Sequence, residues 1–123
     1  MKLLFTKEHE WVKVDGKTAT MGISDHAQHS LGDITFVELP AIGAVCKQSA
    51  QIATVESVKA ASDVYAPVSG KVTEINDEVE ATPETLNISP YEKGWICKIE
   101  LSNKEELSSL MDQAQYDEYV KGL

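Results

Sequence analysis

The sequence has few of the features that mark a secreted or membrane protein. It contains two cysteines, Cys46 and Cys97, which are far apart and belong to no C-x-x-C pair, so we expect both to be reduced thiols in or near the core. No apolar run approaches the length that spans a bilayer. Residues 1–5 lead directly into the polar stretch 6–10 and are too short and too polar for a signal peptide. We therefore expect a cytoplasmic protein.

Positive charge is also scarce. The chain has 11 Lys and Arg residues against 20 Asp and Glu residues, which gives a formal net charge of -9 at pH 7. Phosphate backbones and anionic lipid surfaces would repel such a chain on average. The composition therefore predicts neither nucleic acid nor a membrane as a partner.

Common catalytic and metal-binding motifs are missing. The sequence has no Cys/His cluster, no Gly-rich phosphate loop and no nucleophile elbow. His26 and His29 are three positions apart on a predicted helix and could share a metal ion, but no third ligand is close in sequence. We therefore predict no metal site. A stand-alone hydrolase or metal-binding protein that uses His9, His26 or His29 is kept as the alternative from another functional class.

The composition is that of a globular protein, and 123 residues suit one domain with one core. Asp15-Gly16 lies between two alternating segments, 11–14 and 17–21, and is a typical marker of a tight hairpin. Further strands are predicted where β-branched and aromatic residues are bounded by Pro, Gly and Asn, at 35–39, 52–55, near Val64, 71–75 and 95–101. So many short strands predict a β sandwich or barrel. We expect a single domain over residues 1–123, with a helical segment at about 103–121.

Helices are predicted only at the periphery of this β domain. Asp25 and Gln28 form a capping-box-like pair that begins a helix of about two turns, which Gly32 can end. Capping residues at Ser102 and Asp112 begin two further helices near the C terminus.

One six-residue pattern occurs twice, as Pro40-Ala-Ile-Gly-Ala-Val45 and as Pro67-Val-Ser-Gly-Lys-Val72. Both copies adjoin a predicted strand, and they bracket the segment 56–60. The repetition predicts two similar β units that pair around one core.

Lys59 lies between these two copies, after the strand that ends at Val55 and before the strand near Val64. We therefore expect Lys59 at an exposed turn, among the small Ser and Ala residues of the segment 57–61. A modifying enzyme needs such a turn, because it must reach the amine without unfolding the core. Taken alone, the pattern favours an ordinary solvated surface lysine.

Seven motifs give Lys59 a specific context: HEWV at 9–12, GISDHAQ at 22–28, LGDI at 31–34, FVELP at 36–40, ESVKA at 56–60, APVSG at 66–70 and SPYEKGW at 89–95. With these motifs in this order, the sequence resembles the H proteins of the glycine cleavage system over nearly the whole chain. The resemblance implies a lipoyl-domain-like β sandwich of the barrel-sandwich hybrid type, in which Lys59 carries lipoate as an amide. It also implies that Glu56 and Gly70 help the lipoylating enzyme to recognise the hairpin.

The resemblance further implies a non-catalytic carrier. In that family, the glycine decarboxylase (P protein, pyridoxal-phosphate-dependent) transfers the aminomethyl group of glycine to the lipoyl sulfur. The aminomethyltransferase (T protein) passes the one-carbon unit to tetrahydrofolate and releases ammonia, and dihydrolipoyl dehydrogenase (L protein) reoxidises the dithiol. Because the cofactor is the reactive group, the carrier supplies an anchor, a reach and a shelter. Glu10 and Asp63 fit the family's acidic positions in a cleft that would shelter the cationic aminomethyl group.

Two other swinging-arm modules are the nearest alternatives. Biotinyl carriers place methionine on both sides of the target lysine, and lipoyl domains of 2-oxoacid dehydrogenases place Asp before it. Val58 and Ala60 match neither pattern, and the predicted helical tail also favours the H-protein family.

Overall fold

Residues 2–123 of the computed structural model form nine strands with helices at the periphery. The strands are β1 Leu3–Phe5, β2 Glu10–Asp15, β3 Thr18–Ile23, β4 Ile34–Glu38, β5 Val45–Cys46, β6 Gln51–Ser57, β7 Ala61–Tyr65, β8 Gly70–Ile75 and β9 Cys97–Leu101. The α-helices are α1 Asp25–Leu31, α2 Asp77–Ala81, α3 Thr85–Ile88 and α4 Gln113–Lys121, and a 3-10 helix covers Lys104–Ser109.

The strands form two antiparallel sheets. The larger has the order β1-β2-β3-β9-β8-β5, and the smaller has the order β4-β6-β7. Inward side chains of both sheets make one apolar cluster, as the alternation of antiparallel strands allows. Its buried members include Val12, Met21, Val72 and Ile99 from the larger sheet and Val37, Val55 and Val64 from the smaller. The prediction of a mainly β fold with peripheral helices is confirmed.

The predicted first hairpin is present, and Asp15 pairs with Thr18 at its end. The prediction for the N-terminus of α1 is wrong by one residue, because Ser24 is the cap: its Oγ accepts from the N–H of Ala27 at 3.2 Å. The N–H of Gly32 donates to the Gln28 carbonyl at 3.0 Å and ends the helix as expected.

The C-terminal segment differs from the prediction in its first half. A 3-10 helix replaces the first expected α-helix, and its cap is Asn103 instead of Ser102, because the Asn103 side chain accepts from the N–H of Glu105 at 3.0 Å. The second helix, α4, is confirmed with a complete capping box between Asp112 and Gln115.

The two P-x-x-G-x-V copies pair with each other. Strands β5 and β8 are antiparallel, with Val45 opposite Lys71 and Cys46 opposite Gly70. The N–H of Gly43 in the first copy donates to the carbonyl of Val72 in the second at 2.8 Å. The repeat therefore closes one edge of the larger sheet. Among residues 2–123, the structure has no helix long and apolar enough to cross a membrane.

Candidate functional site

Lys59 lies at the tip of the β6–β7 hairpin, where its side chain is exposed. Ser57 closes the turn: its N–H donates to the Ala60 carbonyl at 2.8 Å, and its Oγ accepts from the N–H groups of Lys59 and Ala60 at 3.2 Å. A short polar side chain that bonds to nearby backbone is a common way to fix such a turn. The turn is therefore ordered while the lysine amine stays open to solvent.

Glu56 is exposed on the same hairpin, three residues before Lys59. Its backbone pairs with Phe36 of β4 on one side and with Ala61 of β7 on the other. The carboxylate thus lies beside the tip and is open to an approaching enzyme.

Gly70 lies elsewhere, on β8 of the larger sheet, and is buried. A Cβ at this position would lie 2.0 Å from the carbonyl oxygen of Glu100 and 2.7 Å from a methyl group of Ile99. The close approach of β8 to β9 therefore requires glycine. The resemblance gives Gly70 a part in recognition, and from the sequence we expect no part in holding the fold. The second half of this expectation is wrong, because glycine is needed at this position for β8 to pack against β9.

Glu10, the first residue of β2, is buried, with 2% of its surface exposed. One carboxylate oxygen accepts from the hydroxyl of Thr6, and the other accepts from the N–H of Tyr65 at 3.2 Å. Glu10, Thr6 and Tyr65 line one cavity of about 400 Å³. Its lining also includes Lys7, Glu8, Gln48 and Ser49. Burial raises the pKa of Glu10 to about 7, and the two hydrogen bonds offset only part of this effect.

Asp63 lies two residues before Tyr65 on β7, and it is exposed. Its Oδ1 accepts from the side-chain amide of Gln51 at 3.0 Å. The strand thus brings Asp63 near the Glu10 cavity, whose lining in the described part of the chain includes Tyr65 but not Asp63. Thr6 and Tyr65 are the site residues that the sequence did not reveal, since they contact Glu10 only through the packing of two sheets.

The three histidines serve other contacts. His9 Nδ1 lies 2.8 Å from the Tyr116 hydroxyl and thereby joins α4 to the β domain, and burial lowers the pKa of His9. The rings of His9 and His26 are 4.6 Å apart between centroids, while His29 lies 3.4 Å from Asp25. Within residues 2–123 there is no group of three His, Cys, Asp or Glu side chains placed to hold a metal ion.

Comparison with known proteins assigns this arrangement to a family. Residues 3–123 match the family model described as glycine cleavage H-protein. The chain belongs to this family. The glycine cleavage system H protein of Symbiobacterium thermophilum is 51% identical over 119 residues, which are 97% of this chain and 93% of that protein. Glycine cleavage system H protein 2, mitochondrial, of Arabidopsis thaliana is also 51% identical, over 97% of this chain and 76% of its own length.

The fold agrees with a solved member of the family. The crystal structure of a glycine cleavage system H protein from Mycobacterium marinum superposes with a TM-score of 0.89 at 30% identity, over 99% of this chain and 98% of that one. The lipoyl-domain-like architecture expected from the resemblance is therefore confirmed, as is membership of the H-protein family.

Proposed function

We propose that this single-domain protein carries lipoate as an amide on Lys59 and acts as the non-catalytic lipoyl carrier of the glycine cleavage system. Membership of the H-protein family supports the carrier role. The observation that carries the assignment to Lys59 is its exposed position at the tip of an ordered hairpin, within the segment 56–60 that resembles the family's lipoylation motif.

The residues around Lys59 fit such a group. The amine is exposed, and its neighbours Ala60 and Ala61 add little bulk. When bound, the dithiolane supplies the redox and group-carrying chemistry, so the protein itself needs an anchor and a shelter. Glu56 beside the tip provides a charged contact for the lipoylating enzyme, and Gly70 holds β8 close to β9.

The Glu10 cavity fits the role of a shelter. The strand β7 joins the tip of the hairpin to Tyr65 at the cavity, and its five residues span about 15 Å. An extended lipoyl-lysine chain has about eleven bonds of roughly 1.5 Å, which gives a comparable reach. The pKa of Glu10 near 7 leaves its carboxyl group partly protonated at neutral pH. A cationic amine in the cavity would favour the ionised form, and Asp63 adds negative charge at the edge.

The partners in this role are the P, T and L proteins of the system and the lipoylating enzyme. The net charge of -9 suits enzymes with basic docking surfaces, and it argues against nucleic acid.

The test is to treat the purified chain with lipoate, ATP and a lipoylating enzyme, and to map the modified peptide by mass spectrometry. We expect one lipoyl group, on Lys59, and none on Lys59→Arg, which keeps the charge and stem but has no primary amine to acylate. Lys17→Arg, which alters another exposed lysine next to a hairpin turn, serves as the matched control. Lipoyl on a different lysine would rule out the assignment.

A further inference from the structure

The turn between α1 and β4, residues 32–33, lies against the side chain of Lys59. The N–H of Val58 donates to the carbonyl of Asp33 at 3.1 Å and ties the hairpin tip to this turn. Gly32, at φ +77°, presents a bare Cα to the lysine: a Cβ there would lie 3.4 Å from Lys59 Cε and 3.8 Å from Lys59 Cδ. The aliphatic stem of Lys59 thus lies along Gly32.

Asn87 on α3 holds this turn from the other side. Its amide nitrogen donates to the Gly32 carbonyl at 2.9 Å and to the Gln28 side chain at 3.0 Å. Its amide oxygen accepts from the N–H of Ile34 at 2.9 Å. One side chain therefore bonds to the residues on both sides of Asp33, and both of its amide hydrogens and its oxygen are engaged.

These contacts form a continuous path from α3 to the modification site. Asn87 fixes Gly32 and Ile34, which fixes the direction of the Asp33 carbonyl between them, and that carbonyl receives Val58. Gln28, which is 6% exposed, supports Asn87 from α1. Without the side chain of Asn87, the turn would lose its only side-chain clamp among these contacts, and the surface beneath the lysine stem would shift.

We propose that Asn87 is a positioning residue for the Lys59 arm, acting through the Gly32–Asp33 turn on which the lysine stem rests. The turn sets the direction in which the amine leaves the hairpin and so the ease with which the lipoylating enzyme captures it. This inference rests on the proposed attachment of lipoate to Lys59. It adds a residue from a different helix, 28 positions further along the chain, to the recognition of the hairpin.

The experiment compares Asn87→Ala with Asn76→Ala. Asn76 is a matched control, because its amide nitrogen also donates to two carbonyls, those of Lys93 and Trp95, and its oxygen accepts from the N–H of Glu78. Both variants lose three hydrogen bonds of one asparagine, but only Asn87 contacts the turn beneath Lys59. Asn87→Asp, which keeps the acceptor for Ile34 and removes both donors, is the second variant in case Asn87→Ala folds poorly.

The first measurement is an NMR cross-peak between the ε protons of Lys59 and the α protons of Gly32 in unmodified, isotope-labelled protein. The second is kcat/KM for lipoylation, measured where each variant is fully folded. We expect the cross-peak in the wild type and in Asn76→Ala and its loss in both Asn87 variants, with kcat/KM lowered about fivefold in these alone.

Equal kcat/KM values for the Asn87 and Asn76 variants would overturn the proposal, as would a cross-peak that is absent from the wild type or unchanged in the Asn87 variants. Modification of the wild type at another lysine would overturn the assignment of Lys59 and this inference together. Modification at Lys59 with no difference between the variants would overturn the role of Asn87 alone.

Discussion

At its tip the β6–β7 hairpin leaves the side chain of Lys59 exposed, whereas at its base the N–H of Tyr65 donates to the carboxylate of Glu10, a residue that is 2% exposed. The two ends belong to the same pair of strands, yet they differ in exposure to solvent and therefore in the cost of holding a charge. The tip is solvated and bordered by small residues. The base is packed against the larger sheet, and burial raises the pKa of Glu10 to about 7.

The difference shows how one hairpin can serve two steps of a carrier. Attachment requires an amine that an enzyme can reach, and solvent supplies that access at the tip. Shelter requires that solvent be partly excluded, and the 2% exposure of Glu10 shows that this residue is largely shielded from solvent. Changes to the tip should therefore act on the rate of modification, and changes at the base should act on stability and its dependence on pH.

Gly70→Ala should give the largest loss of stability, because Gly70 lies where β8 packs closely against β9. Gly70→Ala places a Cβ within 2.0 Å of the Glu100 carbonyl oxygen, and we expect a loss of about 3 kcal/mol in the free energy of unfolding. Urea denaturation measures it. Gly16→Ala is the control, because that site also has positive φ but nothing within 4 Å of the new Cβ; it should cost about 1 kcal/mol. Equal losses would contradict the packing role of Gly70.

Glu10→Gln should change how the stability of the protein depends on pH, whereas a substitution at the tip should not. The pKa of Glu10 rises from 4.5 in the unfolded chain to about 7 in the folded one, so the folded state binds more protons and loses stability as pH increases between these values. The glutamine removes this loss, so the variant should gain stability over the wild type by about 3 kcal/mol between pH 4.5 and pH 8.5.

Thermal or urea unfolding across this pH range measures the gain. The amide oxygen of the glutamine can still accept from the Tyr65 N–H. Its NH2 group cannot accept from the Thr6 hydroxyl, so the variant loses one hydrogen bond, and the quantity to compare is the slope of stability against pH and not its absolute value. Glu56→Gln, at the exposed tip, is the control and should run parallel to the wild type. Parallel curves for Glu10→Gln as well would mean that the carboxylate is not desolvated.

Glu56→Ala, at the tip, should slow the modification of Lys59 without changing the stability of the protein. Loss of a charged contact with the lipoylating enzyme should slow modification roughly tenfold, while the midpoint of unfolding stays as in the wild type. The control is Glu38→Ala, at another exposed carboxylate of the smaller sheet. A normal rate of lipoylation together with earlier unfolding would show that Glu56 is a structural residue.

The smallest effect is expected for retention of the carried aminomethyl group. Each carboxylate contact should contribute about 1 kcal/mol, so its removal should speed spontaneous loss about fivefold. Glu10→Gln should act more strongly than Asp63→Asn, because Glu10 lines the cavity whereas Asp63 is exposed and bonded to Gln51. Added salt should speed the loss in the wild type. Identical rates in all three proteins at low and high salt would show that the cavity does not protect the group.

The sequence predicted well those parts of the fold that short-range chemistry determines. Asp15-Gly16 specifies its hairpin locally, and Asp112 with Gln115 specifies the start of α4. By contrast, β1 is held by pairing with β2 and by the contact of Phe5 with Met111, and neither is visible in a three-residue segment. The short helices α2 and α3 likewise depend on tertiary packing, since isolated helices of this length are unstable.

The same division applies to the site. The motif around Lys59 is contiguous, so the sequence places it on an exposed turn. The contacts of Glu10 with Tyr65 and of Asn87 with Gly32 join residues 55 positions apart in each case. Such contacts follow from the packing of elements, which no local pattern encodes. The requirement for glycine at position 70 is hidden for the same reason, because the clash would arise with Glu100 of a neighbouring strand.

The most direct test of the carrier function is a reconstituted reaction with purified P, T and L proteins, glycine, tetrahydrofolate and NAD. Glycine-dependent formation of NADH should require this chain in its lipoylated form, and Lys59→Arg, treated with the same lipoylating enzyme, should give only the background rate. Full activity of Lys59→Arg, or no activity of wild-type protein shown by mass to be lipoylated on Lys59, would contradict the account.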